Sequence, residues 1–207
     1  GSMGEVWQAF DLKLGVEVAL KAVRRELLAD ERIVQLMRRE VLTAREVVSP
    51  NVCRVFDLQL ADDQELVSME YIDGRTLIHE LAEHGPLDLA AAGKIASQLL
   101  AGLAAIHDAG LVHRDLKPEN VMLTRSGRVV IMDFGIAKVM AEGSTGTVAG
   151  TPAYMAPEQV KADDIDHRAD IFAVGLTLHE LITGALRPDV PAKVIGLVET
   201  REEVADL

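Results

Sequence analysis

His113-Arg114-Asp115-Leu116-Lys117-Pro118-Glu119-Asn120 carries two carboxylates, two cations and an amide within eight residues. Side chains of that chemistry can work on one substrate. Asp115 can orient or deprotonate a hydroxyl, Lys117 can neutralise a transferred anion, and Asn120 can hold a metal through its carbonyl oxygen. Pro118 stiffens the loop between them. For an isolated His-Arg-Asp triplet a solvated polar turn is the better reading, and it is the residues downstream that overturn it.

Thirteen residues past Asn120 stands Asp133-Phe134-Gly135, preceded by Val129-Val130-Ile131-Met132. That apolar, β-branched run predicts a buried strand ending in an acid, so that two metal-competent side chains flank one hairpin. Together the two motifs resemble the catalytic loop and the metal-binding Asp-Phe-Gly of protein kinases, and His113 to Asn120 fits H-R-D-x-x-x-x-N at every named position. The resemblance implies an α+β, bilobal kinase-like fold. A small β-rich lobe carrying one regulatory helix is expected over residues 1–71 and a larger, mainly helical lobe over 72–184, both incomplete, with a divergent segment over 185–207.

Composition agrees with a globular chain of this kind. At 207 residues and 49% hydrophobic content it can bury a real core. A formal net charge of -12 argues against non-specific binding to nucleic acid or anionic membranes. The single cysteine, Cys53, excludes an intrachain disulfide and suits a reducing compartment; a core position fits it better than a reactive thiol. No uninterrupted apolar run of transmembrane length and no basic-then-apolar start is present, so a cytoplasmic location is expected.

Gly1-x-x-Gly4-x-Val6 has the spacing of the second half of a kinase glycine-rich loop, where backbone N–H groups approach phosphates closely. Gly1-Ser2-Met3 alone also fits a cloning remnant, but the motif spacing that follows weighs against that reading. Val16, Val18 and Leu20 alternate with Glu17, Ala19 and Lys21, a strand pattern that sends Lys21 and the small Ala19 to the face opposite the valines. Val18-Ala19-Leu20-Lys21 resembles the V-A-I-K strand. After Asp30, a helix is predicted with Ile33, Leu36, Met37 and Ala44 on one face and Glu40 among them. A carboxylate on an apolar face needs a partner, and Lys21 is the counter-charge the resemblance supplies. The other reading is a solvent-facing Glu40 among Arg38, Arg39 and Arg45.

Ser49-Pro50-Asn51 breaks that helix. Val52 to Leu58 and Glu65 to Met69 then read as paired strands across an acidic turn at Asp62-Asp63. The resemblance makes Glu70-Tyr71-Ile72 a hinge whose backbone binds adenine, with Met69 at the rear of the pocket or simply in the core. Asp73 is assigned to ribose on the same ground. Gly1, Gly4, Val6, Ala19 and Lys21 complete the implied nucleotide site, and Asn120 and Asp133 the magnesium site.

Leu87 to Ile106 predicts a long buried helix that feeds through Gly110 into the catalytic loop. His107 and His113 lie across a helix end with no further ligands in sight, so structural roles are expected of them. Ile136 to Ala153, rich in glycine, serine and threonine, reads as a mobile loop. Gly150 to Gln159 resembles the end of an activation segment, including Ala156-Pro157-Glu158, in the form typical of bacterial eukaryotic-like kinases. Lys117-Pro118-Glu119 and Thr151 match the serine/threonine subgroup. Asp170 opens an apolar helix running to Leu181 and is expected to tie to the catalytic-loop backbone. From Ala185 on, two prolines precede an amphipathic stretch whose role is unread, and the arginine that would pair with Glu158 is not recognisable.

The function these resemblances imply is transfer of the γ-phosphoryl of ATP, with magnesium, to Ser/Thr hydroxyls of proteins. Lys21 and its partner Glu40 position phosphates, Asn120 and Asp133 hold the metal, Asp115 takes the hydroxyl and Lys117 stabilises the moving phosphoryl group. Arg114 beside the catalytic aspartate implies switching by phosphorylation, with Thr145 and Thr147 the candidate acceptors. Rival readings are a nucleotide-binding or scaffold fragment without turnover, and a small-molecule phosphotransferase. Lys21, Glu40, Asp115, Asn120 and Asp133 all stand intact, which disfavours the first. Apolar surface left uncovered by missing helices would favour self-association.

Overall fold

The computed structural model describes residues 5–23, 31–61, 64–133, 151–161 and 164–186. Strands β1 (Val6–Asp11), β2 (Val16–Ala22), β3 (Val55–Ala61) and β4 (Gln64–Glu70) form an antiparallel sheet in the order β1-β2-β4-β3. Helix α1 (Glu31–Glu46) packs against it. A second, three-stranded sheet, β5 (Gly74–Thr76), β6 (Val121–Thr124) and β7 (Val129–Ile131), belongs with four helices. These are α2 (Leu77–His84), α3 (Leu89–Asp108), α4 (Pro157–Lys161) and α5 (Arg168–Thr183). The division is the small sheet lobe and larger helical lobe expected.

In β2 the valines face outward and the inner face carries Ala19 and Lys21, so a lysine occupies a core position. Helix α1 buries Ile33, Met37, Glu40, Val41 and Ala44, a spacing of three and four that makes one stripe and includes the acid. Glu40 is therefore inside. The neighbouring arginines find other acids: Arg38 Nη2 lies 2.7 Å from Glu65 Oε1, and Arg45 Nη1 lies 3.4 Å from Asp57 Oδ1.

The strand expected from Val52 begins later, at Val55. Residues 51–53 instead run beside β7: Ile131 N–H donates to the Asn51 carbonyl at 2.9 Å, and Cys53 N–H donates to the Ile131 carbonyl at 2.9 Å. An edge strand of the other lobe thus satisfies backbone groups that the apolar pattern assigned to the first sheet. This splice makes the core continuous between lobes. Cys53 is buried in it, and burial, helped by the charges of Glu70 and Asp133, pushes its thiol up to about 12, which makes it inert.

Helix α3 starts at Leu89 because Asp88 caps it, its carboxylate accepting from Ala91 N–H at 2.7 Å. It extends to Asp108, two residues beyond the expected end. By length and composition this is the one described helix apolar enough to cross a bilayer. Here it is the core helix of the large lobe, burying Ala92, Ile95, Leu99, Gly102, Leu103 and Ile106. Helix α2 and strand β6 were not read from the sequence, although Thr76 before Leu77-Ile78 is a capping signal and does cap α2.

Gly102 allows the lobes to meet. A Cβ there would stand 2.7 Å from the Asn51 carbonyl oxygen and 2.9 Å from Ile131 Cδ1. Gly102→Ala would gain about 1 kcal/mol of helix propensity, but overpacking costs about 1–3 kcal/mol and the atom in the way is backbone. The melting temperature should fall by about 2–4 °C for each kcal/mol lost. A melt at or above wild type would mean that the Asn51 segment yields freely.

Candidate active site

The catalytic-loop motif folds into a short 3-10 turn, Pro118–Asn120, leading straight into β6. Asp115 is only 4% exposed, yet its carboxylate is fully engaged. Oδ1 accepts from Thr151 N–H at 2.9 Å, while Oδ2 lies 3.1 Å from both Lys117 Nζ and Asn120 Nδ2. Asn120 Nδ2 also donates to the Asp115 carbonyl at 2.7 Å. Lys117 Nζ donates in turn to Thr151 Oγ1. The expected trio Asp115, Lys117 and Asn120 is therefore assembled, with Thr151 as a fourth member.

Lys21 Nζ lies 2.7 Å from Asp133 Oδ1, bringing the β2 lysine to the acid that ends β7. Asp133 sits at φ 59 and Arg114 at φ 68, both in the left-handed region that costs a non-glycine residue on the order of 1–3 kcal/mol. Such backbone persists only where its surroundings hold it. For Arg114 the holder is Asp170 at the start of α5. Its Oδ1 accepts from Arg114 N–H and its Oδ2 from His113 N–H, both at 2.8 Å, and His107 Nε2 is 2.8 Å from Oδ2. Burial alone would raise the Asp170 carboxyl, but the His107 hydrogen bond, the nearby His113 and the two backbone donors outweigh it and hold it below the ordinary value.

His113 is fully buried, with Nε2 2.8 Å from the Met132 carbonyl and Nδ1 accepting from Asp115 N–H at 3.3 Å. Both histidines thus have the structural places expected, and among the described residues no cluster of three or more His, Cys, Asp or Glu could hold a metal. Asn120 and Asp133 remain as oxygen donors. Because the Asn120 amide nitrogen is committed to Asp115, its carbonyl oxygen is the atom left for a cation.

Around the expected nucleotide site, Ala19 stands opposite Met69 across the β2–β4 ladder and both are buried, as is Ile72; Asp73 is exposed. Val6 is paired with Lys21 at the open end of the first sheet and is itself exposed. Glu70 ends β4, and Arg128 clasps its carboxylate with the two terminal guanidinium nitrogens, Nη1 and Nη2, at 2.8 and 3.2 Å, while Arg128 Nε donates to the Pro50 carbonyl at 2.6 Å. Glu70, at the expected hinge, is thereby tied to the β6–β7 turn by a long-range contact that no local pattern marks. Gly1, Gly4, Phe134, Gly135, Thr145 and Thr147 lie outside the described residues.

After Thr151 a second 3-10 turn, Pro152–Tyr154, seats Tyr154, whose hydroxyl donates to Glu180 Oε2 on α5. Burial first, and then that bond and the Glu180 charge, push the phenol well above its usual range, so it stays a neutral donor. Gln159 on α4 donates from Nε2 to the Arg114 carbonyl at 2.7 Å and accepts from Ala156 N–H at 3.0 Å.

The comparisons with known proteins point the same way as this geometry. The sequence pattern of the protein kinase domain matches residues 1–191, and the chain belongs to that family. It is 41% identical over 198 residues to serine/threonine-protein kinase pkn3 of Myxococcus xanthus, covering 90% of this chain and 36% of that protein. It is 34% identical over 189 residues to serine/threonine-protein kinase PrkC of Bacillus subtilis, covering 90% and 29%. The chain thus spans about a third of the length of these relatives. The crystal structure of the Mycobacterium tuberculosis PknI kinase domain superimposes with a TM-score of 0.75 at 30% identity, over 90% of this chain and 71% of that one.

Proposed function

We propose that the protein carrying this chain is a serine/threonine protein kinase that transfers the γ-phosphoryl of ATP to hydroxyls of protein substrates. The observation that carries this is the Asp115 carboxylate, buried yet held by Lys117, Asn120 and the Thr151 N–H at the edge of the activation segment. In the transfer, the substrate oxygen forms a bond to the γ-phosphorus while the bond from that phosphorus to the β,γ-bridging oxygen breaks. The electron pair leaves with ADP, and the hydroxyl proton passes to Asp115. Lys117, 3.1 Å from Asp115, steadies both the carboxylate and the charge on the moving group.

Asp133 and the carbonyl oxygen of Asn120 would hold magnesium. Two hard oxygen donors suit an ion that completes its shell with water and phosphate oxygens. When bound it neutralises phosphate charge. Lys21, for which the family resemblance makes Glu40 the partner, positions the α- and β-phosphates; Ala19, Met69 and Ile72 enclose the adenine with the hinge backbone at Glu70, and Asp73 meets ribose. Gly1, Gly4 and Val6 are assigned to the phosphates by the glycine-loop resemblance alone. The division into 1–71, 72–184 and 185–207, the cytoplasmic location and the absence of nucleic-acid partners belong to the same reading. So does self-association, supported by exposed Phe10, Leu12 and Leu14 on the first hairpin.

Transfer of label from γ-labelled ATP to a generic protein substrate, with Asp115→Asn as control, tests the core of this. Label transfer by wild type and none by the control supports it; ATP binding without transfer would leave a nucleotide-binding scaffold. Switching is tested separately. Phosphopeptide mapping of active protein should find Thr145 or Thr147 modified, and alanine at both should lower activity. Unmodified threonines and an unaffected double variant would remove the switch and leave the kinase.

A further inference from the structure

We propose that Gln159 is a positioning residue for phosphoryl transfer, acting on Asp115 through the peptide that joins Arg114 to it. The proposal deepens the kinase reading and rests on it. Gln159 is 6% exposed and lies forty-five residues along the chain from Arg114, yet its amide uses both ends. Its Nε2 donates to the Arg114 carbonyl at 2.7 Å, and its Oε1 accepts from Ala156 N–H at 3.0 Å.

The second of these bonds alone would be ordinary. Helix α4 begins at Pro157, so Gln159 is its third residue and Ala156 its cap, and a Gln at that place reaching back to the cap N–H is half a capping box. The first bond has no such local reason. It falls on the carbonyl of Arg114, the residue held at φ 68. Asp170 grips that residue from its N–H side at 2.8 Å, and Gln159 grips it from its carbonyl side. The same peptide carries the Asp115 N–H, which points to His113 Nδ1 at 3.3 Å. With both edges of the peptide plane fixed, the direction in which Asp115 leaves the backbone is fixed as well.

The other end of Gln159 holds the chain five residues after Thr151, whose N–H and hydroxyl meet Asp115 and Lys117. One amide therefore sets the register between the catalytic aspartate and the substrate-side loop. A left-handed arginine relaxing toward ordinary backbone would swing the Asp115 carboxylate away from that loop, and misplacement of about 1 Å can cost on the order of 10²-fold in rate.

Gln159→Glu separates the two jobs. A carboxylate accepts from Ala156 N–H as well as an amide does and suits a helix start, but it cannot donate to the Arg114 carbonyl. Gln159→Met keeps the volume and removes both bonds. In the full-length protein, kcat with a protein substrate should fall by about 10–100-fold in both variants, while the KM for ATP and the affinity for ATP-magnesium stay at wild-type values. A Gln159→Glu variant with wild-type kcat would reduce Gln159 to a helix cap and overturn the proposal. So would loss of ATP binding in both variants, because the nucleotide side is predicted intact. Wild type measured alongside keeps the two readings apart: no transfer by wild type removes the kinase assignment itself, whereas an active wild type with unaffected variants removes only the role of Gln159.

Discussion

Asp115→Asn should retain ATP-magnesium binding and lose about 10²–10⁴-fold in phosphoryl transfer, the range a positioned general base contributes. Asparagine keeps the size of the side chain and one oxygen for the Thr151 N–H now 2.9 Å from Oδ1. It loses the proton acceptor and the charge that lies 3.1 Å from Lys117 Nζ. Asp133→Asn should fail differently. It removes a carboxylate 2.7 Å from Lys21 Nζ and half of the proposed metal site, so magnesium-supported nucleotide binding goes first and transfer with it. Titration of ATP with and without magnesium, beside label transfer, reads the two defects separately. Equal loss of nucleotide binding in both variants would contradict the roles given to Asp115 and Asp133.

The parts of this site that were legible in the sequence are those whose partners are near in the chain or whose chemistry is forced by burial. Asp115, Lys117 and Asn120 fall within six residues, so a single turn brings them together. Asp133 was legible because an apolar run that ends in an acid has few other uses. Glu40 stood out because it is a charge on a helix face otherwise apolar, whereas Lys21 shares its strand face with Glu17 and stood out only through the Val18-Ala19-Leu20-Lys21 resemblance; both are buried. What stayed hidden depends on side chains meeting from distant segments. Arg128 and Glu70 are 58 residues apart, Tyr154 and Glu180 26, and Gln159 and Arg114 45. Neither periodicity nor local spacing marks such pairs.

Strand boundaries failed for a different physical reason. Val52-Cys53-Arg54 has the composition of a strand continuous with Val55, and in isolation the first sheet would accept it. The open edge of β7 competes for these backbone groups and takes the Asn51 carbonyl and the Cys53 N–H, while the Arg54 carbonyl stays with Glu70 N–H at the end of β4. A pattern read along one segment cannot say which of two edges will win, because the outcome depends on where α1 and α3 place those edges. The α2 helix, by contrast, carried a readable signal in Thr76 followed by an apolar run, and its cap is formed as that signal requires.

Asp170→Ala should be the most destabilising single change in the large lobe and should cost turnover as well. The residue is 1% exposed and gathers three donors: the N–H groups of His113 and Arg114 and the ring of His107. Removing the carboxylate orphans two backbone donors, and each buried donor left without an acceptor costs about 1–3 kcal/mol. A loss on the order of 3 kcal/mol or more follows, with Asp170→Asn intermediate because it keeps one accepting oxygen. The pH dependence has a definite sign. The folded Asp170 carboxyl lies below its ordinary value near 3.8 while the unfolded one does not, so its contribution is present above 3.8 and is lost as pH falls through the lower folded value. Denaturant titration of wild type and Asp170→Asn should therefore show a gap that is full at neutral pH and narrows only in strong acid. A gap that widened as the pH fell, or an alanine variant as stable as wild type, would show that Arg114 holds its left-handed backbone without Asp170 and that the catalytic loop is anchored elsewhere.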